Sequence, residues 1–64
     1  IYLNKATDTR ITGNILLNSL GIDARFSTSS VIVDNNVIQG RIKARDGASL
    51  ESGDNKLLRP AQTL

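Results

Sequence analysis

The sequence predicts an all-β chain wound as a parallel β-helix, about three coils of three short strands each. Three observations carry that prediction. The tetrad Ile-x-Ala-Arg occurs twice, at 22–25 and 42–45, and Ile1-Tyr2-Leu3 is an earlier counterpart, giving spacings of 21 and 20. Asn14, Asn36 and Asn55 stand 22 and 19 residues apart and open Ile15-Leu16, Val37-Ile38 and Lys56-Leu57. A slightly elastic period near twenty, kept at two separate landmarks, marks a repeat architecture. Finally, no stretch carries a clean i, i+3, i+4, i+7 apolar stripe, because Gly and Asn interrupt every candidate helix.

Each period reads as three extended pieces. The first runs "IYLN", a turn through Thr9, "RIT", the corner "GN", "ILL" and "NSLG". The second opens on Ile22-Asp23-Ala24-Arg25, whose apolar–polar alternation suits a strand with one buried face. "FSTSS" is a polar turn and "VIV" a β-branched strand. "DNN" is a tight corner of residues that tolerate left-handed backbone, followed by "VIQ" and a further corner at Gly40. The third repeats the plan as "IKAR", "DGAS", "LES", "GDN" and "KLL". Residues 1–58 are thus the coils. Arg59-Pro60 ends strand pairing, since Pro has no amide donor, and 59–64 reads as a tail or cap.

Composition narrows the chemistry. With 64 residues there is room for one small domain at most. The absence of Cys and His removes a disulfide framework and the usual zinc sites. A net charge of +2, with Lys and Arg scattered and only Tyr2 and Phe26 aromatic, argues against a nucleic-acid partner. No apolar run is long enough to span a membrane, and no signal-peptide pattern is present. A chain that starts at Ile1 and contains no Met reads as a piece of a longer one.

The recurring Asn-[Ile/Val]-[Ile/Leu] after a tight corner, with "GI" or "RI" opening the next strand, resembles the right-handed parallel β-helices of the pectate-lyase-like superfamily. Asn55-Lys56-Leu57 departs from the pattern at its middle position. The resemblance covers nearly all of 1–58 and rests on a degenerate repeat, not on a catalytic motif. It implies a right-handed coil, and these residues would be its C-terminal coils. Many members are secreted polysaccharide lyases or glycoside hydrolases, while others are tailspikes or adhesins without chemistry. The location implied is extracellular or periplasmic.

Within that frame Asn14, Asn36 and Asn55 stack as a structural ladder, each side chain satisfying backbone groups at its corner. Asp34 and Asp54 precede two of them and resemble half a calcium site, but with no third carboxylate nearby they read as turn residues. No metal site or cofactor is expected in this chain; calcium stays open for the parent protein.

Alternation buries Ile22, Ala24, Ile42 and Ala44 and turns Asp23, Arg25, Lys43 and Arg45 outward, with Tyr2 and Asn4 on the same stripe. Stacking about 4.8 Å apart sets Asp23 against Lys43 as an ion pair. It also sets Arg25 against Arg45, unfavourable unless a carboxylate or anion lies beside them. In the resembling lyases the substrate groove follows the outer face of one sheet, and an Arg or Lys there neutralises a uronate or serves as base. Tyr2, Asp23, Arg25, Lys43 and Arg45 are therefore the candidate substrate-binding residues, on an acidic polysaccharide. Phe26 is expected to cap the interior near a corner.

No carboxylate pair is nominated for hydrolysis, so catalytic residues are unassigned. Two readings follow. One is part of a carbohydrate-active enzyme that acts on or binds an acidic polysaccharide, its catalytic residues mostly outside this chain. The other is a non-catalytic structural or adhesive β-helix. Open coil ends expose unpaired strand edges, so the expected partners also include further coils of the same protein or a stacked subunit.

Overall fold

The computed structural model describes residues 1–59. Nine short strands follow one another: β1 (Tyr2–Asn4), β2 (Thr9–Thr12), β3 (Ile15–Leu16), β4 (Gly21–Arg25), β5 (Val31–Asp34), β6 (Val37–Gln39), β7 (Arg41–Ala44), β8 (Glu51–Gly53) and β9 (Lys56–Leu58). Among the described residues there is no helix. Every third strand returns to the same sheet, giving three parallel three-stranded sheets ordered β1-β4-β7, β2-β5-β8 and β3-β6-β9. The shortest extent of the molecule, 12 Å, accommodates three strand layers at a spacing of about 4.8 Å.

The repeated tetrads are one strand position, one pass apart. Ile22 lies opposite Ile42, Asp23 opposite Lys43 and Ala24 opposite Ala44. Tyr2 and Leu3 sit opposite Asp23 and Ala24 in turn. The corners repeat as faithfully as the strands. Lys5, Phe26 and Asp46 follow the same strand position and have φ of 53°, 52° and 54°. Gly13, Asn35 and Asp54, each just before a ladder asparagine, have φ of 71°, 55° and 38°. Left-handed backbone is costly for most side chains, so Gly, Asn and Asp suit the second corner. Thr9, expected in a turn, already belongs to β2.

Strand alternation builds the core. In β5, Val31 and Val33 are buried while Ile32 between them faces out. Ile11, Ile22, Val31, Val33 and Ile38 form the buried cluster, with Leu3, Leu16, Ile42 and Leu50 half-buried against it. The core belongs mainly to the middle pass, which alone has a described layer on each side. This explains one correction: Ala44, expected inside, is exposed, and Ile42 is only half-buried, because both belong to the last described pass.

Phe26 is the second correction. It does not cap the interior: its left-handed corner turns the ring outward, where the Arg25 guanidinium covers it at 4.3 Å from the ring centroid. That contact keeps one face of an exposed ring from water. The expected tail or cap begins at Arg59, outside any strand, and its remainder, residues 60–64, lies outside the described residues.

Candidate functional site

The asparagine corner is a continuous hydrogen-bonded ladder. The backbone N–H of Asn14 and its Nδ2 both donate to Asn36 Oδ1 at 3.0 Å. The backbone N–H and Nδ2 of Asn36 donate in the same way to Asn55 Oδ1, at 3.1 and 2.9 Å. Each amide also reaches a strand carbonyl: Asn36 Nδ2 donates to Ile11 O at 2.9 Å, and Asn55 Nδ2 to Val33 O at 2.8 Å. Asn36 is only 2% exposed, with its side-chain oxygen and amide both in use. These side chains are committed to the backbone, leaving the ladder little capacity for a ligand.

The outward stripe on the β1-β4-β7 sheet is a different environment. Tyr2, Asp23, Arg41, Lys43 and Arg45 line a cleft of about 510 Å³, which runs from the outer face of the sheet to the corner at Ser19, Leu20 and Gly40. Close approach of backbones shapes that corner. A Cβ on Gly21 would overlap the Arg41 backbone, and one on Gly40 would come within 2.6 Å of Gly21 N, so only glycine lets these two passes stack there. Tyr2 is 54% exposed and Leu20 96% exposed, giving the cleft apolar surface beside its charges.

Asp23 does not pair with Lys43, the residue directly opposite. Arg45, two positions along β7 and its exit, reaches back with Nε to Oδ1 at 3.0 Å and Nη2 to Oδ2 at 2.6 Å. The planar guanidinium matches both carboxylate oxygens, whereas an ammonium is a point charge, so the diagonal arginine wins over the facing lysine. Arg25 is held by Asp46 through its Nε and lies outside the cleft lining. The like-charged register of Arg25 and Arg45 is thus relieved by one carboxylate beside each. A third exposed pair joins Arg10 Nη2 to Asp34 Oδ2 at 2.9 Å on the neighbouring sheet.

The Arg45 hydrogen bonds hold the Asp23 carboxyl below its ordinary value of 3.8, with partial burial opposing and the charges of Arg45, Lys43 and Arg25 assisting. Asp23 in turn raises the Arg45 pKa. The Arg10 hydrogen bond, then the Thr12 hydroxyl, lowers Asp34 likewise. A carboxylate kept ionised and bound at both oxygens is a poor general acid near neutral pH. The cleft has three cations to this one carboxylate, and Arg41 and Lys43 form no ion pair among the described residues. The cleft therefore carries an excess of positive charge.

Four of the five candidate residues therefore meet in one cleft, and Arg25 stands apart on Phe26 and Asp46. Arg41 was missed. The strand reading began at Ile42, yet alternation from Lys43 puts position 41 on the same outward stripe. Asp46 and the buried Thr28 were also missed. The Thr28 hydroxyl donates to Arg25 O at 2.8 Å and accepts from Ala6 N–H at 3.1 Å, tying the turn to the pass above it. Among the described residues no group of three or more acidic side chains is placed to hold a metal ion.

No protein-family model, curated protein or solved structure matches this chain.

Proposed function

We propose that the chain forms a right-handed parallel β-helix of the pectate-lyase-like kind, and that the outer face of its β1-β4-β7 sheet binds an acidic polysaccharide. The observation that carries the reading is the cleft in which Arg41, Lys43 and Arg45 face a single carboxylate beside the exposed ring of Tyr2. Lys43 and Arg41 would neutralise uronate carboxylates, the Asp23–Arg45 pair would hydrogen-bond sugar hydroxyls, and Tyr2 would offer its ring to a sugar face. The described residues act here as a binding surface; an enzyme of this kind would draw its acid and base from elsewhere. An extracellular or periplasmic location goes with such a ligand.

A second reading, a non-catalytic structural or adhesive β-helix, is favoured by one specific observation. Arg25 and Arg45 are both already engaged by carboxylates of the same chain. Affinity electrophoresis in gels containing polygalacturonate, against gels containing a neutral polysaccharide, separates the two. The binding reading expects retardation by the acidic polymer alone, weakened by salt and by Arg41→Ala or Lys43→Ala. Equal mobility in both gels would leave the structural reading.

A further inference from the structure

The two outer faces of the strand stack carry complementary groups in the same register. We propose that a second copy of this chain stacks on the first head to tail, setting the β7-β8-β9 face of one copy against the β1-β2-β3 face of the next. The inference does not depend on the cleft or its ligand.

Three independent features point to this partner. The first is charge. Arg10 and Glu51 both lie opposite Ile32, on its two sides, so one column runs from a cation through an apolar residue to a carboxylate. Continued by one more layer, that column sets Glu51 of one copy directly against Arg10 of the next. The corner column Lys5, Phe26, Asp46 has the same polarity, bringing Asp46 to Lys5. Lys5, Arg10, Asp46 and Glu51 are all exposed. Arg10 and Asp46 also pair within the chain, with Asp34 and Arg25, so the contacts to the next copy extend those pairs into longer charge networks. Lys5 and Glu51 have no ion pair among the described residues. Facing unlike charges steer association and set its register.

The second feature is the ladder, which has a direction. Each asparagine donates its backbone and side-chain N–H groups to the Oδ1 of the asparagine one pass later. Asn14 Oδ1 consequently has no donor among the described residues, and the backbone N–H of Asn55 has no acceptor among them. Head-to-tail stacking brings the donor at Asn55 to the acceptor at Asn14, the same bond made once more. Stacking head to head or tail to tail would meet like with like.

The third is apolar. Leu57 ends the column that passes through Ile38, which is wholly buried, to Leu16. Its 57% exposure is removed when Leu16 of the next copy lies against it. Parallel strand edges with paired partners on one side only are templates for such addition. The contact is heterologous and does not close, so the assembly grows along the stack.

Sedimentation velocity and light scattering on the 64-residue chain, over a dilution series, test the proposal. The expected result is open-ended, concentration-dependent association that weakens with salt. Glu51→Lys and Arg10→Glu should each weaken association about tenfold or more by placing like charges in register. An equimolar mixture of those two variants should restore it, since each then meets an opposite charge. Lys5→Glu, which disturbs no ion pair among the described residues, should weaken association in the same direction even if Arg10→Glu harms folding through Asp34. A chain that stays monomeric up to about 1 mM overturns the proposal. So does association that the charge reversals leave unchanged while circular dichroism shows the variants folded.

Discussion

Asn36 and Asn55 are joined twice, through the backbone N–H and the Nδ2 of Asn36, both on the single Oδ1 of Asn55. The same pair of hydrogen bonds joins Asn14 to Asn36, from the backbone N–H and Nδ2 of Asn14 to Asn36 Oδ1. The corner where each pass turns into its third strand is therefore held by side chains in addition to the backbone bonds from Val37 N–H to Asn14 O and from Lys56 N–H to Asn36 O, and the central rung has the most to lose.

Asn36→Ala should cost about 2–4 kcal/mol, since it strands Ile11 O in a buried corner and takes the acceptor from the part-buried Asn14 N–H. Asn14→Ala, at the exposed end of the ladder, should cost about 1 kcal/mol. Urea denaturation of the two variants checks the order. Equal losses would mean that the ladder carries no special weight at its centre.

The interior should tolerate little. Ile38→Ala is expected to cost about 2–5 kcal/mol, and Ile22→Asp to prevent folding, because both side chains are wholly buried. Lys43→Ala should stay within about 0.5 kcal/mol. Ile42→Ala should fall between these, in keeping with its half-buried place in the outer pass. Thermal melts followed by circular dichroism would reveal the ranking.

Glycine substitutions should separate crowding from backbone preference. Gly13→Ala meets no atoms and faces only the strain of φ 71°, about 1–3 kcal/mol. Gly21→Ala adds overlap with the Arg41 backbone to a φ of 90° and should be the more damaging of the two. It should also deform the cleft, seen as weakened retardation by polygalacturonate in whatever fraction still folds.

Acid should destabilise the fold through Asp23 and Asp34. Both carboxyls are held below 3.8 in the folded chain, first by Arg45 and Arg10 respectively. A lowered folded pKa contributes stability that is complete above the unfolded value and is lost as pH falls through the folded one. Stability should thus be flat with respect to these groups from neutral pH to about 4 and decline below it. Both groups are solvent-screened, so the effect should be modest and shrink with salt. Asp23→Asn and Asp34→Asn should each flatten the acid limb in urea melts at pH 7 and pH 3.

Most of the strand plan was legible because a period-two pattern repeated every twenty residues is a local property. The two Ile-x-Ala-Arg tetrads announced that they were one strand seen twice, and the asparagine spacing located the repeated corner. Side-chain partners were less legible. Register alone set Asp23 against Lys43, but an arginine two residues further on has the longer reach and the better geometry. Phe26 was misplaced for a similar reason: an apolar residue suggests the interior, while its left-handed corner turns it outward.

By itself the sequence determined the number of passes, the approximate position of the strands, though not their bounds at Thr9 and Arg41, and which residues alternate inward, because these follow from spacing and from the two faces of a strand. Only the tertiary structure decided which passes bury their inward residues and which cations keep free charge. Burial requires a layer on both sides, so Ala24 is sealed and Ala44 is not. Charge pairing depends on reach across layers, so Arg45 and Arg25 are taken by Asp23 and Asp46, while Arg41 and Lys43 face the cleft.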